Sequence, residues 1–144
     1  MALRITHELQ SAIEEEGRGS YPFECCGFLV GRMNADDKEV REIWTVRNEK
    51  AQEESRRRYW ISPEVYFEND KRARKEGMDI LGIYHSHPDH PGEPSEFDRE
   101  HALPGWSYVV FAVAKGSPGP LGSWLLAEDR SAFHPEELRV ESAA

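Results

Sequence analysis

The sequence predicts a single α+β domain in which a curved mixed β-sheet is flanked by helices. Short apolar runs of strand length alternate with three segments that begin with helix-capping residues. No repeat or linker divides the chain, and its 144 residues suffice for one sizeable hydrophobic core. We therefore expect one domain over residues 1–144, with its core at about 4–140.

The individual elements follow from caps, turn residues and apolar runs. The predicted helices run from Thr6 to Gly17 or Gly19, from Ser62 to about Glu76, and from Ser95 to about Ala102. The predicted strands cover residues 24–31, 40–48, 59–61, 78–87, 106–114, 124–127 and 132–140. We expect the last two strands to be peripheral, residues 116–120 to be a loop, and the tail from Glu141 to be disordered.

Composition narrows the function classes. The 27 acidic and 18 basic residues give a net charge of −9, which disfavours nucleic acids and anionic membranes as partners. No apolar run reaches the length of a membrane-spanning helix, and no secretory signal is visible. The only two cysteines, Cys25 and Cys26, are adjacent, which argues against a disulfide framework and favours a reducing, cytoplasmic setting.

The most informative stretch is the predicted strand that ends in His85-Ser86-His87. Side chains alternate along a strand, so His85 and His87 share one face, roughly 6.5–7 Å apart along the strand, while Ser86 points to the other. Two imidazoles at this spacing can converge on one metal ion. A lone H-x-H pattern is also common on protein surfaces, so the pair alone does not establish a site.

The residues after His87 strengthen the metal interpretation. A run of prolines and a glycine (Pro88, Pro91, Gly92, Pro94) prevents the strand from continuing and forces a turn. Ser95 then starts an S-x-x-D capping pattern that places Asp98 in the first turn of a helix. A chain reversal can therefore bring Asp98 back to His85 and His87. Two imidazoles and one carboxylate form a three-ligand zinc site with one position left for water.

Hydrolysis at such a site also needs a base and a donor to oxyanion charge. Glu24 is the candidate base, because it lies at the mouth of an almost wholly apolar strand. It can equally be an ordinary edge-strand or turn glutamate. The Ser95 hydroxyl is the candidate donor, although a plain N-cap explains the same residue.

These residues resemble the signature of the JAMM (MPN-plus) metalloprotease family: Glu24, then His85-x-His87-Pro88, then Ser95-x-x-Asp98. The segments 21–31 and 82–88 resemble its short bacterial branch, and the similarity extends from about Thr6 to Leu138. The resemblance implies a fold related to cytidine deaminases and one Zn²⁺ per chain bound by His85, His87 and Asp98. It also implies that Glu24 is the general acid/base and that Ser95 stabilises the oxyanion.

The resemblance further implies peptidase or isopeptidase activity after the C-terminal Gly-Gly of a ubiquitin-like protein. For the bacterial branch, a ubiquitin-like sulfur-carrier protein is the expected partner. Two other classes stay open: a non-catalytic interaction module of MPN type, and another zinc hydrolase on a deaminase-like scaffold. A deaminase is disfavoured because no P-C-x-x-C run is present.

Several features are left open by the sequence. Arg56, Arg57 and Arg58 are either a solvated loop or contacts to an acidic carrier surface. His90 and His101 are surface residues or alternative metal ligands. The identity of the carrier, the type of bond cleaved and the oligomeric state, a homodimer included, are not determined by these patterns.

Overall fold

The computed structural model describes residues 2–50 and 58–142. The three helices in these ranges are α1 (His7–Ser20), α2 (Pro63–Lys75) and α3 (Glu96–His101). The strands are β1 (Ala2–Thr6), β2 (Cys26–Asn34), β3 (Asp37–Val46), β4 (Asp79–Pro88), β5 (Ser107–Ala114), β6 (Ser117–Pro118), β7 (Gly122–Leu126) and β8 (Phe133–Glu141). The predicted class, α+β with a curved mixed sheet and flanking helices, is confirmed.

The strands form one sheet that closes on itself. Its order is β4-β2-β3-β1-β8-β7-β5-β6, and an additional pairing joins β4 to β5. Strand β1 is parallel to β3 and β8, and β4 is parallel to β5, whereas the other pairs are antiparallel. Strand β4, which carries the two histidines, therefore has a strand neighbour on each side.

The sheet is packed on both faces, and β2 shows how. Leu29 belongs to a buried cluster with Ile13 of α1, whereas Phe28 and Val30 belong to a second cluster with Ala73 of α2. Successive side chains of a strand point to opposite faces, so the unbroken apolar run of β2 contacts a helix cluster on each side. This packing explains why residues 24–31 have the almost wholly apolar sequence of a fully buried strand.

The predicted helix caps agree with the structure. Thr6, Ser62 and Ser95 are the N-cap residues of α1, α2 and α3, and each side-chain oxygen accepts a backbone N–H of the first turn. Helix α1 continues past the expected glycines to Ser20.

The structure corrects several predictions for the strands. Residues 59–61 form no strand, although Trp60 exchanges backbone and side-chain hydrogen bonds with residues 48 and 49. Strand β8 is central rather than peripheral, because it lies between β1 and β7, and Glu141 ends that strand instead of starting a disordered tail. The sequence patterns did not predict the short strands β1 and β6, because neither contains a long apolar run. Strand β1 is defined by its pairing with the distant β8, and β6 by its pairing with the end of β5 immediately before it.

Gly82 is the residue that allows the closest approach of β4 to β5. It is paired with Ser107, and a Cβ at this position would overlap the Ser107 carbonyl oxygen. We therefore expect Gly82→Ala to lower the free energy of unfolding by about 1–3 kcal/mol, the usual cost of overpacking. Urea denaturation of both proteins measures the difference.

Gly19→Ala is the matched control. A Cβ at Gly19 meets no atom within 4 Å, and the residue lies in α1. Alanine favours a helix over glycine by up to about 1 kcal/mol, so this variant should be as stable as the parent or slightly more so. Equal stability of the Gly82→Ala protein and the parent would contradict the proposed close contact between β4 and β5.

Candidate metal centre at the end of β4

Strand β4 presents His85 and His87 on one face, as the alternation of side chains predicts. Both residues are buried, and their Nε2 atoms are 3.2 Å apart. Ser86 points away from them and is fully buried as well. The two imidazoles therefore converge at the end of the strand.

The turn after β4 returns Asp98 to these two rings. The Oδ2 atom of Asp98 lies 3.1 Å from Nε2 of His85 and 3.1 Å from Nε2 of His87. A reciprocal capping box holds the carboxylate in this position, because the Ser95 N–H donates to Oδ2 at 2.8 Å and the Asp98 N–H donates to Ser95 Oγ at 3.1 Å. The cap of α3 therefore orients the same oxygen that faces both histidines.

The ring of His87 is also fixed from behind. Its Nδ1–H donates to the Pro91 carbonyl at 2.9 Å, which leaves a lone pair on Nε2 of the neutral ring. A hydrogen bond from the non-ligating nitrogen to a carbonyl is the usual way that proteins orient a metal-binding histidine.

The ring of His85 is fixed by stacking. The Tyr59 ring packs against it, with centroids 4.5 Å apart and an interplanar angle of 32°. The Nδ1 atom of His85 is buried and has no hydrogen-bond partner among the residues that the structure describes. Tyr59 was not anticipated as part of the site, because a single aromatic residue beside a charged stretch gives no sequence signal for this contact.

The spacing of the three donor atoms fits a bound cation. Electron-rich atoms 3.1–3.2 Å apart repel one another unless a proton or a cation lies among them. A tetrahedral ion with bonds of about 2.0–2.1 Å sets its ligands about 3.3 Å apart. His85, His87 and Asp98 can therefore hold one metal ion with little rearrangement.

Glu24 is the fourth functional group at this place. Its side chain is 2% exposed, and a ligand atom from each of Glu24, His85 and His87 lies within 4.8 Å of the other two. Neither carboxylate oxygen of Glu24 has a hydrogen-bond partner among the residues in the described ranges. A carboxylate without partners is costly to bury, which indicates that it interacts with something other than this part of the chain.

Ser86, on the opposite face of β4, holds the backbone of Cys25, the residue after Glu24. The Cys25 N–H donates to Ser86 Oγ at 2.9 Å, and the Ser86 N–H donates to the Cys25 carbonyl at 3.2 Å. These two bonds fix the backbone next to Glu24 against Ser86, the residue between the two histidines. The sequence pattern predicts only the orientation of Ser86 and no role for its hydroxyl.

The electrostatics of the four groups are strongly perturbed. Burial, and secondarily the Asp98 carboxylate, raise the pKa of Glu24 to about 9. Burial alone would raise the pKa of Asp98, but the two histidines hold it well below its usual range. Burial lowers the pKa of His85, whereas the hydrogen bond and the charge of Asp98, together with the Pro91 carbonyl, outweigh burial and raise the pKa of His87. Clustered shifts of this kind are typical of functional sites.

The remaining predicted residues lie around this centre. Ser95 is exposed and lines a groove of about 340 Å³ together with His87, His90 and Glu93. The ring centroids of His90 and His87 are 6.5 Å apart, and the His101 ring stacks on Phe97 with centroids 4.1 Å apart. Neither His90 nor His101 therefore supplies one of the three closely spaced donor atoms. Arg58 lies over the Phe97 ring at 4.8 Å, and Arg56 and Arg57 lie outside the described residues.

Comparison with known proteins identifies the family of this chain. Residues 6–127 match the family described as prokaryotic homologs of the JAB domain, and the chain belongs to this family. The chain is 36% identical over 111 residues to the desampylase of Haloferax volcanii, covering 76% of this chain and 77% of that protein. It is 30% identical over 105 residues to the desampylase of Pyrococcus furiosus, covering 73% and 68%.

A solved structure supports the fold in particular. A JAB1/MPN domain protein from Archaeoglobus fulgidus superimposes with a TM-score of 0.57 at 20% identity, over 99% of this chain and 100% of that protein. The family match and the two desampylase relatives confirm the predicted JAMM/MPN family. No helix within the described residues is long and apolar enough to cross a membrane.

If these donor atoms bind a cation, the folded protein should gain stability when a divalent metal is added. A ligand present at a hundred times its Kd stabilises by about 2.7 kcal/mol, which corresponds to a rise in Tm of about 5–10 °C for a domain of this size. Thermal unfolding of the protein, first freed of metal with a chelator and then measured with and without added Zn²⁺, gives the effect.

His87→Ala should abolish this rise, because it removes one donor from the centre. His101→Ala is the control of the same residue type, since His101 is exposed and packs on Phe97, and it should keep the full rise. The same metal-induced rise in all three proteins would refute the assignment of the site.

Proposed function

We propose that this protein is a zinc-dependent hydrolase of the JAMM type that cleaves the bond after the C-terminal Gly-Gly of a ubiquitin-like protein. The observation that carries the proposal is the convergence of His85, His87 and Asp98 beside a buried Glu24 whose oxygens have no partner in the described chain. The membership of the JAB family and the two relatives named desampylase support it.

Zinc is the metal that this donor set favours. Two imidazole nitrogens and one carboxylate oxygen match the three protein ligands of catalytic zinc sites, and we assign one ion per chain. A zinc ion held by these residues would supply a Lewis acid that makes water nucleophilic at neutral pH. Both cysteine thiols are buried and unlinked, and Cys26 Sγ donates to the Val46 carbonyl, so neither points to a deaminase-type sulfur ligand.

Glu24 is suited to carry the proton of the reaction. Burial and the Asp98 carboxylate raise the pKa of Glu24, which favours its neutral form. A nearby cation would lower this pKa and favour the charged form, so the group can both accept and release a proton. In the proposed reaction it takes a proton from the attacking water and delivers it to the nitrogen of the leaving amine. It does so as the acid/base and not as a ligand.

Ser95 is suited to stabilise the oxyanion. Its Oγ accepts the Asp98 N–H, and this bond leaves the hydroxyl hydrogen available to a substrate oxygen. The side chain is exposed and faces the groove beside His87. The cap and the proposed catalytic role are therefore compatible in one residue.

The substrate assignment rests on the shape of the scissile segment as well as on the relatives. Two consecutive glycines lack Cβ atoms that would obstruct approach of the scissile carbonyl to a buried centre. We propose a folded ubiquitin-like protein of the sulfur-carrier class as the partner, in a cytoplasmic setting that agrees with the two free thiols.

The function is tested with a ubiquitin-like carrier that is fused through its Gly-Gly terminus to a short peptide. The zinc-loaded protein should release the peptide directly after the second glycine, as detected by mass spectrometry. A carrier with Gly-Val in place of Gly-Gly is the control, and it should be cleaved at least about 10²-fold more slowly, because the added side chain displaces the scissile carbonyl.

Glu24→Gln should retain zinc and fold yet lose about 10²–10⁴-fold in kcat, the usual contribution of general acid–base catalysis. Near-parental turnover of this variant would remove Glu24 from the mechanism. Equal cleavage of both tails would reject the Gly-Gly specificity. A zinc-loaded protein that cleaves neither fusion would instead favour a non-catalytic interaction module.

A further inference from the structure

Asn48, which follows β3, uses its whole side-chain amide in hydrogen bonds. The Oδ1 atom accepts the N–H groups of Lys50 at 3.1 Å and Trp60 at 3.0 Å. The Nδ2 atom donates to the Arg58 carbonyl at 2.9 Å and to the Glu24 carbonyl at 3.3 Å. Two donors facing two carbonyls and one oxygen facing two amides define the orientation of this amide.

These bonds join three separate backbone segments at the metal centre. Residues 58–60 are held against residues 48–50, and the Glu49 N–H adds a bond to the Trp60 carbonyl at 3.0 Å. Tyr59 lies between the two bonded residues Arg58 and Trp60, and its ring is stacked on His85. The amide therefore fixes the backbone on both sides of the residue that packs on a candidate metal ligand.

The fourth bond reaches the candidate acid/base itself. The Glu24 carbonyl is bonded to Asn48, while the next residue, Cys25, is bonded to Ser86 on β4. The backbone of Glu24 is thus held from two directions, once by the strand of the histidines and once by Asn48. A carboxylate with no partner of its own depends on its backbone for its position.

We propose that Asn48 is a positioning residue that couples the placement of Glu24 to that of the Tyr59–His85 stack. The part of this inference that concerns turnover rests on the proposed function. Misplacement of a catalytic group by about 1 Å can cost about 10²-fold in rate. Asn48 acts through Glu24 and Tyr59 and does not itself contact the three metal-binding atoms.

The alternative is that Asn48 only staples the loop between β3 and α2. Asn48→Asp separates these roles, because the carboxylate keeps the two acceptor bonds to Lys50 and Trp60, which hold the loop, and loses the donor bonds to Arg58 and Glu24. If Asn48 only staples the loop, this variant should lower Tm by less than Asn48→Ala does and leave kcat unchanged, whereas a role in positioning Glu24 predicts a lower kcat. Asn48→Ala removes all four bonds and serves as the severe variant.

Asn69→Ala is the matched control. Asn69 is likewise half-buried, and its Nδ2 donates to the Val65 carbonyl at 2.8 Å within α2. Its loss removes a side-chain-to-backbone bond of the same kind without touching Glu24, Tyr59 or His85. All variants are compared for Tm, for kcat and KM on the Gly-Gly fusion, and for the visible absorption spectrum of the Co²⁺-loaded protein.

We expect Asn48→Asp and Asn48→Ala to lower kcat by about 10–100-fold with KM within about twofold of the parent, and Asn69→Ala to change neither. We also expect the Co²⁺ spectrum to shift in Asn48→Ala and to be unchanged in Asn69→Ala. Parental kcat in Asn48→Asp would overturn the proposal, and a lowered Tm alone would assign Asn48 to the loop.

The Co²⁺ spectrum separates this inference from the proposed function. If the parent protein cleaves no fusion, the Co²⁺ spectrum is the deciding measurement. A spectral shift in Asn48→Ala that is absent in Asn69→Ala supports the positioning role. Identical spectra in both alanine variants refute it. If the parent is active, the kinetic constants decide. If Asn48→Ala fails to fold, Asn48→Asp is compared with Asn69→Ala by the same measurements.

Discussion

The parallel pairing of β4 with β5 is the constraint on which the site depends. Parallel strands cannot be joined by a tight turn, so the chain must travel back along the sheet before β5 begins. Strand β4 ends at Pro88 and β5 starts at Ser107, and the connection between them contains the turn and α3. Because α3 comes early in this connection, Asp98 lies at the same end of β4 as the two histidines.

The ring of strands also supplies the low-dielectric surroundings of the site. Strand β4 is flanked by β2 and β5, and Tyr59, Pro91 and Asp98 cover the face of His85 and His87, which are almost excluded from solvent. An unpaired polar group in such surroundings costs about 1–3 kcal/mol. Glu24 is buried under the same conditions without a partner in the described chain. This cost is compatible with the proposed role of Glu24 as the acid/base, because no contact within the described chain offsets it.

Much of this centre was predictable because its signals are local. The H-x-H spacing specifies a shared strand face, the prolines specify the turn, and the S-x-x-D pattern specifies the cap that orients Asp98. Ring closure by β4 and β5 was not predictable, since a pairing between distant segments leaves no local pattern in either. The same reason applies to β1, to the central place of β8, and to the four hydrogen bonds of Asn48. Tyr59 was expected in a strand because it is aromatic and β-prone, whereas tertiary contacts with Asn48 and His85 determine its conformation.

We propose that His85, His87 and Asp98 together hold zinc through nitrogen and oxygen donors. X-ray absorption at the zinc edge of the zinc-loaded protein tests this assignment, because it reports the type of each donor atom and its distance. We expect two imidazole nitrogens at about 2.0–2.1 Å, with oxygen as the only other donor. A sulfur donor at about 2.3 Å, or fewer than two imidazoles, would contradict it.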